Sequence, residues 1–311
     1  MVEVEILIPT YNRCSDLLKN LQILAKQLHE GGLTDRVRIL ISDNCSPDDT
    51  QARVQDFQTS NPGISIHYFR QQSNIGLEPN AVFILGKAAA KYVVWLGDDD
   101  YLADGYLNYC FNQINTKENI GVIIPGLASL DKNGNLGAQR IEEFDDIKLG
   151  SGYDAVYTYS HLGHQMSGLL MRRDSLLKSY LAKGTYRNPY LFVYFTAFLM
   201  LKWDSIYAPI FKTQVSIDNT KDWGYNQVGL LDEVFKSYLA LQGMLNDREI
   251  GELLIRFSTV HSYRFNIKWY RPDSLLKKYF MLFGNIPATL GIRGKLALQL
   301  FKDYVLSFRA L

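Results

Sequence analysis

The sequence predicts an α/β protein: a mostly parallel sheet flanked by helices, followed by a helical C-terminal extension. Two observations predict the sheet and a third the extension. Short apolar, β-branched runs alternate with helix-periodic segments through the first hundred residues, the pattern of parallel strands covered on both faces. Each run ends in a polar loop, which gathers the loops at the edge where open α/β sheets bind ligands. From Gln227 onward the periodicity is helical only.

Val4 to Pro9 reads as the first buried strand, with Thr10-Tyr11-Asn12-Arg13 as its polar exit. Ser15 is suited to cap a helix whose apolar face carries Leu17, Leu18, Leu21, Leu24, Ala25 and Leu28, and Gly31-Gly32 stops it. Val37 to Ile41 is the second strand, leaving through Ser42-Asp43-Asn44. Ser46 before Pro47 predicts the cap and first turn of a helix running to about Ser60. Ile64 to Phe69 is the third strand, and the loop Ser73 to Asn80 feeds a helix to about Ala90. Tyr92 to Leu96 is the fourth strand, its Val and aromatic content suiting a buried position. A helix to about Ile114 and a strand at Val122 to Pro125 follow, and Asn133-Gly134 between apolar residues predicts a hairpin turn. Glu142 to Gly163 reads as a loop or lid. Beyond it the pattern predicts a strand at Ser167 to Met171 and a helix at Ser175 to Ala182. An almost wholly apolar helix from Pro189 to Trp203 and a strand at Ser205 to Thr213 complete it.

The fourth strand ends at Gly97 and three adjacent carboxylates, Asp98, Asp99 and Asp100. Like charges at this spacing resist ionising together unless a cation is shared among them. Oxygen donors at a strand end suit Mg²⁺ or Mn²⁺, which bind through one or two carboxylates together with substrate phosphates. The alternative is that one of the three caps a helix running from Leu102 to Ile114.

A length of 311 residues allows one large α/β domain with an appendage or two domains, and 47% hydrophobic with 21% charged residues describes an ordered globular chain. The net charge of +1 argues against a nucleic-acid binder held by bulk electrostatics. Cys14, Cys45 and Cys110 share no metal-type or redox-type spacing, which fits a reduced, cytosolic protein. The acidic Met1-Val2-Glu3-Val4-Glu5 is unlike a signal peptide, and no apolar run reaches the length of a membrane span.

Charge is unevenly distributed. From Arg248 to the C-terminus eleven basic residues face four acidic ones. Within Ile292 to Leu311, Lys295, Lys302 and Arg309 recur every seven residues beside Leu296, Leu300, Phe301, Val305, Leu306 and Phe308. Such a basic amphipathic helix suits peripheral contact with an anionic membrane, and equally suits packing on the catalytic domain or a homo-oligomer contact. Ser274 to Phe283 has similar character.

Four motifs at strand ends, taken together, resemble a known family. Ile8-Pro9-Thr10-Tyr11-Asn12-Arg13, Ser42-Asp43-Asn44, Asn74-x-Gly76 with Asn80, and Leu96-Gly97-Asp98-Asp99-Asp100 look like those of a family 2 glycosyltransferase of the GT-A fold. The resemblance is close over residues 2 to 125 and holds in outline from 126 to 217. It implies a catalytic domain over 1–217, with a nucleotide-binding half (1–125) and an acceptor half (126–217), and a helical region over 218–311. It implies a nucleoside-diphosphate sugar donor, UDP or dTDP favoured, with Pro9, Thr10, Tyr11 and Arg13 in the donor site. Asp43 would accept a hydrogen bond from the base, Asn74 and Asn80 would lie near the ribose or diphosphate, and Asp98 near the ribose. Asp99 would be the direct ligand of Mn²⁺ or Mg²⁺, with Asp98 and Asp100 beside it. Gly97 departs from the family's Asp-x-Asp-Asp by standing in the first Asp position.

The resemblance further implies a metal-assisted, inverting transfer to a glycan or polyprenyl-linked glycan. Its setting would be a cytoplasmic step of bacterial surface polysaccharide synthesis, at the inner face of the cell membrane. Inverting members carry a proton-accepting carboxylate at the start of a helix in the second half, whereas Asn188 to Trp203 contains no Asp or Glu. The base is therefore unassigned, with His164, Asp204 and Asp218 as candidates. A nucleotidyltransferase would need a glycine-rich basic loop after strand one, which Thr10-Tyr11-Asn12-Arg13 is not. A donor- or glycan-binding protein without catalysis is the remaining alternative.

Overall fold

The computed structural model describes residues 2–117, 119–139, 145–217 and 229–261, together with 291, 294, 295, 297, 298, 301, 302 and 305. It resolves into two compact units. The first comprises 1–155, 165–182 and 198–220, the second 156–164, 183–197 and 221–311, so no single cut in the sequence separates them.

In the first unit, β1 (Val4–Thr10) is buried along its whole length and sits between β2 (Val37–Asp43) and β4 (Tyr92–Trp95), parallel to both. β3 (Ile66–Arg70) extends the sheet beyond β2, again parallel. Antiparallel β8 (Leu170–Arg172) joins β4 to β5 (Ile120–Leu130), and β9 (Asp204–Ser216) runs parallel to β5. β7 (Ile147–Leu149) closes the edge of β9, and β6 (Leu136–Gln139) forms the expected hairpin with β5. The strand order is β3-β2-β1-β4-β8-β5-β9-β7. The sheet is thus parallel in its first half and mixed in its second.

Helices α1 (Cys14–Glu30), α2 (Thr50–Ser60), α3 (Leu77–Lys87), α4 (Tyr106–Thr116) and α6 (Leu176–Leu181) belong to this unit. Apolar residues of β1, β2 and β4 form one core with Leu17, Leu21, Leu24 and Leu28 of α1 and Tyr106, Leu107 and Phe111 of α4.

Helix starts differ from expectation, each for a tertiary reason. α1 begins at Cys14, and its first N–H donates to Asp48 Oδ2 at 3.0 Å, so a residue from the loop after β2 does the capping expected of Ser15. α2 begins at Thr50, not Pro47. Asp48 Oδ1 accepts from Thr50 N and Oγ1, while Ser46 Oγ is drawn away to Asn12 N and Asp43. α3 starts before Asn80 and stops at Lys87, because the N–H groups of Ala89 and Ala90 turn to the buried Glu5 Oε2 at 2.6 and 2.8 Å. The stretch read as a lid contains β7, α5 (Tyr153–Tyr159) and a 3-10 turn (Ser160–His164).

The second strand pair positions the site. Between Ala208 and Lys212 β9 bulges by three residues opposite Pro125 and Gly126, and Phe211 in the bulge packs on the rings of Tyr106 and Tyr109 at 5.6 and 4.7 Å. A Cβ on Gly126 would lie 2.4 Å from Pro209 O, so only glycine permits the approach. Beyond the bulge, Lys212–Ser216 resumes pairing and reaches the loop after β4.

In the second unit, α8 (Gly229–Leu239) packs on α9 (Asp247–Val260), with Tyr238 edge-on to Phe257 at 6.2 Å. Asn246 and Glu249 form a reciprocal capping box at the start of α9. α7 (Leu191–Lys202), which begins in this unit and ends in the first, is apolar around its circumference and buried accordingly. In the C-terminal region Lys295, Leu298, Phe301, Lys302 and Val305 have helical backbone, with Leu298 and Phe301 71% and 65% exposed. The Ser274 to Phe283 run lies outside the described residues.

Candidate active site

The strand register builds the site. Leu7 pairs with Trp95, so three residues on, Thr10 at the end of β1 comes level with Asp98. Thr10 Oγ1 donates to Asp98 Oδ2 at 2.8 Å, and the same register sets Thr10 beside Asp43 on β2. Arg13, just before α1, reaches back along the same edge. Its Nη1 lies 3.1 Å from Asp98 Oδ1 and 2.7 Å from Asp99 Oδ2.

The three aspartates do not cap a helix, since α4 begins only at Tyr106, after Gly105. They form a buried turn after β4. Asn20 of α1, fully buried, donates from Nδ2 to Gly97 O at 2.8 Å. Gly97 N donates to Ser167 Oγ at 3.0 Å, and Ser167 Oγ in turn donates to Asp100 Oδ2. Ser216 at the end of β9 donates from N to Asp100 Oδ1 at 3.1 Å and from Oγ to Asp99 O at 2.6 Å. Tyr101 and Gln214 exchange backbone hydrogen bonds. Asp100 thus ties β4, the loop before β8 and β9 into one unit.

Gly97 follows from this arrangement. A Cβ there would meet Asp100 Oδ2 at 2.8 Å and Ser167 Oγ at 3.2 Å. The chain cannot carry both an Asp at position 97 and the Asp100–Ser167 contact without moving one of them.

Burial, which outweighs the opposing Arg13 charge and is reinforced by the neighbouring Asp99 charge, leaves the Asp98 carboxyl pushed up to about 7. Burial and then Asp99 push Asp100 up to about 7 as well. Asp16 on α1 is raised by burial and by the Asp99 charge. Burial opposes the charge on Arg13, but Asp98 and Asp99 outweigh it and hold the guanidinium more basic than usual.

These residues fit a divalent cation. The donors are carboxylate oxygens: Asp98 and Asp99 share the Arg13 guanidinium and Asp100 stands beside them, a buried set whose ionised form a hard cation would favour. Among the described residues no three His, Cys, Asp or Glu side chains converge into a closed cage.

Asp43 is fully buried. Its Oδ1 accepts from Ser46 N and Oγ at 2.8 and 2.5 Å, and its Oδ2 accepts from Tyr68 OH, with Arg70 Nε 3.6 Å away. Next to it, Asn44 holds the following loop: Nδ2 donates to Asn74 Oδ1 at 2.8 Å, and Oδ1 accepts from Ile75 N at 2.8 Å. Asn80 is buried under β2, accepting from Ser42 Oγ at 2.6 Å and donating to Ser42 O at 2.9 Å. Pro9 is buried opposite Ser42, and Tyr11 is half-buried at the loop.

Of the three base candidates, two fall among the described residues. Asp204 opens β9 and accepts from Ser151 N at 3.2 Å; by register it is level with Tyr92, about 20 Å along the strands from Asp98 at 3.3 Å per residue. His164 belongs to the second unit, where its Nδ1 is 2.8 Å from His161 O and its ring stands edge-on to His261 at 4.6 Å. Asp218 lies outside the described residues.

Sequence reasoning missed Asn20, Asn44, Ser167 and Ser216 as site residues. Asn20 left a signal, a polar residue on the buried face of α1. Ser167 and Ser216 left none, being 67 and 116 residues from Asp100.

Comparison with known proteins bears on the family and the fold. The chain is 28% identical over 139 residues to the GalNAc(5)-diNAcBac-PP-undecaprenol beta-1,3-glucosyltransferase of Campylobacter jejuni, a match spanning 45% of this chain and 42% of that protein. Among solved structures, S. aureus TarS 1-349 in complex with UDP-GlcNAc superposes with a TM-score of 0.69 at 15% identity, covering 98% of this chain and 89% of that one. The mannosyltransferase PcManGT from Pyrobaculum calidifontis, in complex with GDP-Man and Mn2+, gives 0.57 at 14% identity, covering 98% and 83%. The fold is of the GT-A type that these glycosyltransferases share. The family model for glycosyl transferase family 2 matches residues 5–181, more than half of the sequence, and the chain belongs to that family.

Proposed function

We propose that this chain transfers a sugar from a nucleoside-diphosphate sugar to a hydroxyl of a glycan or lipid-linked glycan. The observation that carries the proposal is the Asp98-Asp99-Asp100 turn, held at the carboxyl edge of the parallel strands by Thr10, Arg13, Ser167 and Ser216. Thr10 and Tyr11 would flank the nucleobase and Asp43 with Asn44 would shape its pocket. Asp98 would face the ribose. Asp99 would hold Mn²⁺ or Mg²⁺, and Asp100 would keep the turn in place. When bound, the metal supplies positive charge to the departing nucleoside diphosphate.

The acceptor hydroxyl attacks the anomeric carbon as the carbon–oxygen bond to the diphosphate breaks, and its proton needs a basic group. Inversion would follow from attack opposite the leaving group. Asp218 stands two residues after Ser216, which bonds Asp99 and Asp100, and is the candidate we carry forward. UDP or dTDP is the favoured nucleotide, and the TarS complex with UDP-GlcNAc supports UDP. The Campylobacter jejuni relative, whose name carries an undecaprenol-linked acceptor, supports a polyprenyl-linked glycan and a step in bacterial surface polysaccharide synthesis. No helix among the described residues is long and apolar enough to cross a membrane. Exposed Leu298 and Phe301 beside Lys295 and Lys302 support peripheral contact with the membrane that carries such an acceptor, with the site on its cytoplasmic face.

A second reading, a nucleotide-sugar binder without turnover, is favoured by the lack of any Asp or Glu on α7. Thermal-shift titrations of UDP, dTDP, GDP and CDP, each with and without Mn²⁺, test the donor site on wild type and Asp99→Ala. A ligand at 100 times its dissociation constant adds about 2.7 kcal/mol. Stabilisation by one diphosphate only with metal, lost in Asp99→Ala, supports the proposal; no shift with any nucleotide refutes it. Donor hydrolysis or transfer to a lipid-linked glycan then separates enzyme from binder.

A further inference from the structure

Arg13 offers one nitrogen to two carboxylates. Nη1 lies between Asp98 Oδ1 and Asp99 Oδ2, where a cation shared by the two would stand, and the side chain is only 9% exposed. The backbone that presents it is pinned on both sides. Asn12 N donates to Ser46 Oγ at 2.9 Å, and Cys14 N donates to Asp48 Oδ2 at 3.0 Å. Movement of the guanidinium is thereby confined to the side chain.

We propose that Arg13 is the resident counter-cation of the Asp98–Asp99 pair and couples metal binding to donor binding, releasing Asp99 to the metal as the donor diphosphate takes over the guanidinium. The inference rests on the donor-and-metal reading above. A divalent cation arriving alone meets a positive charge already bonded to its ligand, and either displaces it or is repelled by it. A diphosphate changes the balance, because its oxygens accept a guanidinium in the same forked geometry that a carboxylate does. Metal then favours nucleotide and nucleotide favours metal by the same factor. The part of that factor due to Arg13 disappears with its charge.

The test is Mn²⁺ binding to the full chain, read by electron paramagnetic resonance of the free ion, with and without UDP or GDP. Wild type is compared with Arg13→Met, Arg13→Gln, Arg13→Lys, Thr10→Val and Asp99→Asn. Wild type is expected to bind Mn²⁺ weakly alone and at least tenfold more tightly with nucleotide. Arg13→Met and Arg13→Gln should each bind Mn²⁺ alone at least fivefold more tightly than wild type and respond less to nucleotide, while Arg13→Lys stays near wild type. Thr10→Val, which removes a hydrogen bond from Asp98 but no charge, should not tighten binding, and Asp99→Asn should lose it. If Mn²⁺ binds wild type but neither neutral Arg13 variant binds it more tightly, or Thr10→Val tightens it equally, the role of Arg13 is overturned and the donor site stands. If no protein binds Mn²⁺ with or without nucleotide, both are overturned.

Discussion

Gly97→Ala puts a single methyl group where the structure has no room. The new Cβ would lie 2.8 Å from Asp100 Oδ2, 3.2 Å from Asp100 Cγ and 3.2 Å from Ser167 Oγ. The carboxylate cannot simply swing aside, because Ser167 Oγ and Ser216 N hold its two oxygens. Overpacking of this kind costs roughly 1–3 kcal/mol. The lower chain entropy of unfolded alanine returns about 0.4–1 kcal/mol, leaving a net loss of about 1.3 kcal/mol at mid-range and at most about 2.6 kcal/mol. The decisive comparison is a double-mutant cycle with Asp100→Ala. That change alone leaves two buried donors, Ser216 N and Ser167 Oγ, without their acceptor, at roughly 1–3 kcal/mol each. It also removes two of the three atoms the methyl group strikes, including the nearest, and frees Ser167 Oγ to turn away. Adding Gly97→Ala to it should therefore cost little, with a coupling energy of about 1–2 kcal/mol. Urea unfolding at 25 °C, followed by the fluorescence of tryptophans that include the buried Trp95, measures all four corners. If Gly97→Ala is neutral, or if the two losses simply add, the steric account of Gly97 is wrong.

Other consequences follow from the same network. Asp98 and Asp100 are each raised by burial to about 7, above their unfolded value, so the folded state holds protons that the unfolded state releases. Without divalent metal, their contribution should be fully present below about pH 4 and lost as pH rises to 7, at up to about 1.4 kcal/mol per unit for each group. Unfolding free energies measured at pH 5, 6, 7 and 8 in Asp98→Asn and Asp100→Asn should show a shallower decline than wild type; an equal slope contradicts the assignment. Glu5→Ala removes a fully buried carboxylate that accepts from Ala89 N and Ala90 N and pairs with Arg38 at 3.2 Å. A loss of about 3–5 kcal/mol in denaturant unfolding is expected, and a loss below about 1 kcal/mol would show that other groups replace it. Asp48→Ala strips the cap from Cys14 N and the acceptor from Thr50, and should lower the unfolding free energy by about 1–2 kcal/mol, with Asp48→Asn recovering part of it.

The elements legible in the sequence are those whose signal is local and repeated. The apolar runs of β1, β2 and β4 read directly as buried strands, and the 3.6-residue spacing of Leu17, Leu21, Leu24 and Leu28 reads as the face α1 packs on the sheet. Helix starts were less legible because their caps are not local. Ser15 and Ser46 have the right chemistry for capping, yet Asp48 caps α1 from the loop after β2 and Ser46 is held by Asn12 and Asp43. Likewise the stretch before Gly163 looked like a lid, because strands as short as the three residues of β7 carry little periodic signal.

For the site, the order of polar exits after successive strands was enough to bring Thr10, Asp43 and the aspartate turn to one edge. Parallel strands in a right-handed βαβ series have no other way to arrange their carboxyl ends. Which carboxylate does what is another matter. Asp98, Asp99 and Asp100 are identical in composition and consecutive in order, and nothing in their spacing separates them. Long-range partners do: Thr10 and Arg13 hold Asp98, Arg13 reaches Asp99, and Ser167 with Ser216 holds Asp100. Hydrogen bonds and ion pairs act over about 3 Å of space whatever the distance along the chain. Periodicity along the chain therefore identifies strands, helices and the edge they share, while the roles of chemically identical neighbours exist only once folding has delivered their partners.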